Sequence, residues 1–334
     1  MKSNRIRRED TNFWFMASCS VILAVAAQGM TEDNLHKSFD VSPGGKLVMD
    51  VRVGGIEITG TKKDAVTIDV IRKVTVFDSE NNRDGQKEQE LLRRNEIAFR
   101  KDGNTVTVEM VHKEHFGFSH HGSINVDFRF VISVPENFNL DLKTSGGGIA
   151  VDDLAGDVKS DTSGGGLKFI GVHGPIQGHT SGGGIQLKDC EGRSAIETSG
   201  GSIHITNHKG DVTARTSGGG IKIDQVEGDL DAETSGGSIS AVLQAQITRD
   251  CRLSTPGGGI TVRLPENSKL DIDAETSGGN VHTDLPVTVT GKQQRSRLRG
   301  RLNGGGNSLF LRTSAGSIYL NKLRDEEHAS TDPK

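Results

Sequence analysis

From residue 144 onward, apolar and polar positions alternate in short runs that recur at a fixed spacing. Thr-Ser-Gly-Gly begins at Thr144, Thr162, Thr180, Thr198, Thr216 and Thr234, at one constant interval. Looser copies follow at Thr255 (Thr-Pro-Gly-Gly) and Thr276, each after a slightly longer interval. Aligned on the Thr, the position four before it holds Val158, Ile176, Ser194, Val212, Leu230, Cys251 and Ile272. The position two before it holds Ser160, Gly178, Ile196, Ala214, Ala232, Leu253 and Ala274. Asp161, His179, Glu197, Arg215, Glu233 and Glu275 lie between these columns and the Thr. Period-two alternation of this kind predicts a strand with one buried face. Beyond the glycines, Ile149, Leu167, Ile185, Ile203, Ile221, Ile239, Ile260 and Val281 open a second strand, and Val151, Phe169, Leu187, Ile205, Ile223 and Ala241 continue it. A third apolar contact falls ten after the Thr, at Leu154, Val172, Cys190 and Val226. A second turn then uses Gly156, Gly174, Gly192, Gly210 and Gly228.

A unit of this length that cannot bury its own apolar face must stack on its neighbours, which is the logic of a solenoid. The pattern predicts an all-β fold: a single-stranded parallel β-helix with rungs of 18–21 residues, right-handed as parallel crossovers are. A left-handed helix of three hexapeptides also fits the interval from Thr144 to Thr162, but the apolar columns do not recur every six. Parity points the Thr column inward, where its hydroxyl needs a partner, either a stacked Thr or a turn amide. The paired glycines are expected to supply corners with φ > 0. Cys190 and Cys251 each take an apolar column position. They fall three to four rungs apart, about 15 Å or more, too far for a disulfide. Two free buried thiols are expected.

Residues 36–142 continue the theme less regularly and read as an irregular N-terminal capping part. Leu47, Met49, Val51 and Val53 alternate, and Gly54-Gly55-Ile56 copies the repeat's turn. Strands are expected near Val66–Val76, Thr105–Val111 and Ile124–Val134, with a charged excursion from Ser79 to Arg94 that holds a short helix near Lys87–Arg94. Residues 143–321 form the regular part, and 322–334 are a polar tail. One phrase occurs twice: Val134-Pro135-Glu136-Asn137 before Leu140-Asp141-Leu142, and Leu264-Pro265-Glu266-Asn267 before Leu270-Asp271-Ile272. End rungs need caps, for which the N-terminal strands and segment 284–302 are the candidates.

Composition narrows the function classes. The 334-residue chain holds 44 Gly, only 4% aromatic residues and a net charge of -4, so no global basic character argues for nucleic acid. Lys2, Arg5, Arg7 and Arg8 precede an apolar stretch from Phe13 to Ala27, with a small-x-small site at Ala24-Val25-Ala26. Residues 1–26 therefore read as an export signal, or as an anchor if retained. Membrane contact is expected only in the second case.

The candidate chemistry is sparse. The Gly-rich corners lack the following helix that a phosphate loop requires. Gly156-Asp157, Gly210-Asp211 and Gly228-Asp229 resemble calcium repeats, but the nine-residue pattern is missing. His112, His115, His120 and His121 gather near Glu114 in a loop, residue types that suit Zn²⁺ or Ni²⁺, without spacing that fixes a geometry. Glu197, Glu233 and Glu275 share an outward column with His179 and Arg215 between them, which suits cross-strand pairing better than catalysis. No cofactor and no metal site is assigned. The strongest surface candidate is Arg295, Arg297, Arg299 and Arg301 with Lys292. On a strand the four arginines share one face, which suits phosphate or carboxylate polymers. The competing reading is a charged edge that blocks aggregation.

The opening Phe39 to Leu47 with Pro43-Gly44-Gly45, the Gly54-Gly55-Ile56 turn, the Thr-Ser-Gly-Gly-Gly-Ile rungs, Leu285 to Val289, Gly304-Gly305-Gly306 and Thr313 to Ile318 together resemble the bacterial "putative adhesin" family, a β-helical domain of unknown function. The resemblance covers about residues 36–321. It implies an exported or envelope-facing protein with no established catalytic residues. The expectation is a non-catalytic, adhesin-like surface of the periplasm, cell envelope or exterior. An anionic envelope polymer, a surface glycan or an envelope protein would be its partner. The alternatives are an envelope-stress or assembly accessory protein that binds another protein, and a β-helical enzyme on acidic polysaccharide.

Overall fold

The structure, a computed structural model, describes residues 31–76, 95–112, 124–243, 247, 249–291 and 294–323. The expected N-terminal signal, the expected excursion with its short helix, His115, His120, His121, Glu114 and Lys292 lie outside these residues, as does the side chain of His112. The described residues form 27 strands in two sheets and no helix.

The N-terminal part supplies β1 (Thr31–Asp40), β2 (Gly45–Val51), β3 (Gly55–Thr61), β4 (Ala65–Val76), β5 (Asn95–Asp102), β6 (Thr105–His112) and β7 (Ile124–Pro135). Regular rungs follow as pairs: β8 (Phe138–Thr144) with β9 (Ile149–Ala155), β10 (Val158–Thr162) with β11 (Leu167–His173), β12 (Ile176–Thr180) with β13 (Ile185–Glu191), and β14 (Ser194–Thr198) with β15 (Ile203–Lys209). Next come β16 (Val212–Thr216) with β17 (Ile221–Glu227), β18 (Leu230–Thr234) with β19 (Ile239–Val242), β20 (Cys251–Thr255) with β21 (Ile260–Leu264), and β22 (Leu270–Thr276) with β23 (Val281–Thr283). The chain closes with β24 (Val287–Val289), β25 (Arg297–Leu302), β26 (Asn307–Thr313) and β27 (Ile318–Lys322). Each regular rung gives its first strand to sheet B and its second to sheet A, in parallel register, so that Thr162 sits on Thr144, Thr180 on Thr162 and so on. The fold is a β-solenoid, with antiparallel strands only at its ends.

The Thr-Ser-Gly-Gly corner works by close approach. A Cβ on the second glycine (Gly165, Gly183, Gly201, Gly219, Gly237 or Gly258) would collide with the carbonyl oxygen of the matching glycine one rung away. These glycines are not among those with positive φ, so the expected left-handed corner is corrected: side-chain absence is required for stacking, not for backbone twist. Positive φ belongs to the second turn, where Gly156, Gly174, Gly192, Gly210 and Gly228 lie between +121° and +155°. The Thr column is buried, as parity required. Thr198 Oγ1 donates to Gly183 O at 2.7 Å and accepts from its own rung's Gly201 N–H at 3.2 Å. Thr180, Thr216, Thr234 and Thr255 repeat this pair of bonds.

In five successive rungs the second strand (β9, β11, β13, β15 and β17) bends at a left-handed residue: Asp153, Gly171, Asp189, Asn207 and Gln225 all have φ between +51° and +60°. The bend resets the in–out alternation, so Leu154, Val172 and Cys190 point into the core. His208 occupies the same column on the next rung, buried above Cys190. Its Nε2–H donates to Gly192 O at 2.9 Å, while Nδ1 has no partner. Burial lowers its pKa against the opposing Gly192 bond. Cys190 and Cys251 are free and buried. Burial raises both thiols, Cys251 to about 12.

Chain order and spatial order differ at both ends. In sheet B, β2 lies between β6 and β8; in sheet A, β3 lies between β7 and β9. The chain thus lays β6 and β7 outside the β2–β3 rung and returns across it to β8. Pro135-Glu136-Asn137 makes the crossing, with Glu136 N–H bonded to Thr61 O and Glu136 O to Ala155 N–H. At the other end, the β26–β27 rung sits between β20–β21 and β22–β23, although it comes last in the chain. Pro265-Glu266-Asn267 is the matching crossing. The phrase that occurs twice is a rung-skipping connector.

The ends are covered. Leu35 and Phe39 of β1 and Ile97 and Phe99 of β5 are half-buried against the core at one end, and Leu285, Leu298 and Leu302 are buried at the other. Lys37 pairs with buried Ile68 and is exposed, so the edge strand carries a charge on its core-side face. Such a charge discourages further pairing.

Three outcomes test this reading. Thr198→Val keeps the shape but strands the Gly183 carbonyl and the Gly201 amide, and should cost about 1–3 kcal/mol in urea unfolding. Cys190 and Cys251 should resist iodoacetamide in the native protein at pH 8 and react once it is unfolded. Below about pH 6.5 the unfolded chain binds a proton that buried His208 refuses. Stability is therefore full above that value and falls as pH drops toward the lowered folded pKa, with a slope of up to ~1.4 kcal/mol per pH unit. His208→Leu, which restores the column's chemistry, should remove that part of the slope in denaturation measured from pH 7.5 to 5.

Candidate binding surface

β25 pairs antiparallel with β22, setting Arg297 against Glu275, Arg299 against Asp273 and Arg301 against Asp271. Leu298, Gly300 and Leu302 turn inward and are buried, so Arg297, Arg299 and Arg301 share the outward face that alternation assigned them. Arg295 is exposed in the turn before β25, and its carbonyl accepts from Val281 N–H at 2.7 Å. Arg295 makes no ion pair among the described residues. Lys292, the fifth member of the row, is not among those residues.

The partners of the row are what sequence reasoning missed. Arg297 reaches Glu275 at 3.6 Å, Arg299 reaches Asp273 at 3.2 Å and Arg301 reaches Asp271 at 3.5 Å. From the other side of β22, Arg312 of β26 reaches Asp273 at 3.0 Å and Glu275 at 3.9 Å. Burial raises the Asp273 carboxyl, but hydrogen bonds and charge from Arg312 and Arg299 more than offset this and hold it below the usual carboxylate range. The signal was present in the sequence, since Asp271, Asp273 and Glu275 alternate with the same period as the arginines. Their opposition needed the antiparallel register. The result is four arginines, Arg297, Arg299, Arg301 and Arg312, facing three carboxylates, with Arg299 and Arg301 more than half exposed.

The remaining outward faces are mixed in sign. His179, Glu197, Arg215 and Glu233 are ladder neighbours on sheet B, and Arg215 reaches both Asp231 at 3.1 Å and Glu233 at 3.7 Å. Glu275 is separated from this set by Ser254 and Arg312. A shallow groove of about 270 Å³ runs over Gly178 and Ala195 here. A second, of about 350 Å³, lies beside Asp211, Asp229, Asp250 and Arg252. Asp211 and Asp229, two of the calcium candidates, are bridged by Arg249 at 3.6 and 3.4 Å. Among the described residues, no three His, Cys, Asp or Glu side chains are arranged to hold a metal. Two aromatic rings stand outward on one rung: Phe310 beneath Arg252, and Tyr319 stacked on His282 with centroids 5.0 Å apart.

None of the curated proteins matches the sequence at significant similarity. Among solved structures, the chain is similar to a "putative cell adhesion protein" from Clostridium sporogenes, with 14% identity over 87% of this chain and 100% of that one and a TM-score of 0.22. It is also similar to a "putative adhesin" from Bacteroides fragilis (12% identity, 87% and 97% covered, TM-score 0.32) and a "putative lipid binding protein" from Parabacteroides distasonis (11% identity, 87% and 97% covered, TM-score 0.36). At these TM-scores the likeness carries neither a ligand nor an activity to this chain. The family model described as Toastrack DUF4097 matches residues 46–321, from β2 to β27. Spanning nearly all the described rungs, that match places the protein: it belongs to the Toastrack DUF4097 family.

Proposed function

We propose that this protein is an exported, non-catalytic β-solenoid that serves as a binding or scaffold surface of the cell envelope. Its ligand-facing element is the arginine row at the β25 end, and its ligand is an anionic polymer: a phosphate- or carboxylate-bearing envelope polysaccharide. The observation that carries the reading is the local excess of guanidinium groups over carboxylates on β22, β25 and β26. On sheet B, by contrast, Arg215 stands between Glu197 and Glu233 in the outward column and is paired with Glu233 and Asp231. Guanidinium groups at alternate strand positions can fork onto successive phosphates or carboxylates. The strand fixes their backbone spacing, so binding has to order the side chains alone.

The second reading is a protein partner, favoured by the exposed Tyr319–His282 stack, because aromatic side chains are enriched at protein interfaces.

Cell fractionation together with a binding screen on envelope polymers tests both location and ligand. Replacing Arg295, Arg297, Arg299 and Arg301 with Gln should weaken binding at least about tenfold and flatten its salt dependence. The matching Lys variant keeps the charge and should retain most of the salt slope while losing bidentate affinity. Three of the four arginines are paired, so the Gln variant should also lose about 0–1 kcal/mol per exposed pair, measured by urea unfolding. Unchanged binding and salt slope in the Gln variant would dismiss the arginine row.

A further inference from the structure

The β26–β27 rung fills a slot whose two walls are register-compatible with each other. Cys251, Leu253 and Thr255 of β20 align with Leu309, Leu311 and Thr313 of β26, and these align with Ile272, Ala274 and Thr276 of β22. The inward columns therefore run unbroken through all three rungs. Removing the middle one would let Thr276 stack on Thr255 as any Thr stacks on the next. The slot is held open by its occupant.

Both of the longer rungs border this slot, and their extra lengths hold its fittings. In the first, Ile247 O accepts from Asn307 Nδ2–H at 2.9 Å, and Asp250 Oδ1 accepts from Ser308 N–H at 2.7 Å. In the second, Glu266 takes Lys322 Nζ at 2.7 Å, and Leu264 O accepts from Leu323 N–H at 2.9 Å. Further on, Asp284 Oδ1 accepts from Lys322 N–H at 2.7 Å. The Thr–Gly bonds continue through the seat, from Thr313 to Gly258 O and from Thr276 to Gly316 O. These bonds fix a rung of this sequence, whichever copy of the chain delivers it.

The hinge that delivers it is short and left-handed. β25 and β26 lie on opposite sides of β22, joined by Asn303-Gly304-Gly305-Gly306. Asn303, Gly304 and Gly305 have φ of +49°, +91° and +88° in succession. A short, constrained hinge between an element and its seat is the condition that favours exchange between copies.

We infer that the slot is a rung-exchange site for a second copy of this chain. The hinge at 303–306 opens into extended backbone, and each copy's β26–β27 rung fills the other's slot, giving a closed two-fold dimer. Every bond of the seat is kept and becomes intermolecular. The two forms differ only in hinge conformation and in concentration, so the balance is set by these.

The full-length chain tests this. Refolded from denaturant over a concentration series and sized by light scattering, it should give a dimer fraction that rises with concentration and persists on dilution. Gly304→Val adds a side chain where nothing lies within 4 Å, so its only cost is the positive φ of the closed hinge. It should raise the dimer fraction about fivefold or more, while Gly304→Asn, which tolerates that region, stays near the parent. A Gly304→Val chain that remains monomeric at every concentration overturns the proposal. Refolding Lys322→Glu and Glu266→Lys chains together identifies the surface, because exchange restores an ion pair at both seats. Mixed dimers should exceed the statistical proportion, and a statistical mixture overturns the proposal as surely.

Discussion

Backbone contact at the Thr-Ser-Gly-Gly corner is the constraint on which the rest depends. Two rungs can approach to strand spacing around a bend only if nothing projects from the second glycine. With no side chain there, the carbonyl of one rung lies against the next, within reach of a Thr hydroxyl from the core side. That hydroxyl satisfies two buried backbone groups at once, the Gly carbonyl below and the Gly amide of its own turn. Both halves of the motif are then necessary. Glycine makes the approach possible, and threonine leaves no orphaned polar group inside it. Once the corner is set, the strands on either side are in register, and the apolar columns stack without further specification.

The regular part of the fold was legible for that reason. Column reading gave the two strands of each regular rung, the inward Thr and the buried thiols, because each depends on a local period. What could not be read is what a period cannot encode. The order of rungs is one such property: Leu309, Leu311 and Ile318 satisfy the same columns in any slot, so chain order passed for spatial order. The lengthened intervals that lead to Thr255 and Thr276 were the trace of the inserted rung. The left-handed column was missed because Asp153, Asp189, Asn207 and Gln225 look like ordinary outward residues, yet it decides why Leu154 and Cys190 face the core. His208 was passed over because an imidazole in an aliphatic column breaks the pattern that finds it.

The arginine row shows the same division. Alternation put Arg297, Arg299 and Arg301 on one face, and the structure agrees. What alternation could not supply was the antiparallel register that sets Asp271, Asp273 and Glu275 opposite them. The row is therefore at once a fastening for the cap strand and a surplus of positive charge. Both the charged-edge reading and the ligand reading draw on the same side chains, and the excess over the paired carboxylates is what separates them.

The inserted rung has a mechanical consequence. A strand at the edge of a sheet is peeled off one bond at a time when its end is pulled. β27 is instead laddered on both sides, by β21 and β23, in parallel. Tension applied at Lys322 along the strand loads both ladders in shear, and the bonds share the force. A chain held by the segment that follows Leu323 would meet its load in the interior of the stack, while β23, the outermost strand of that sheet, would act as a retaining plate.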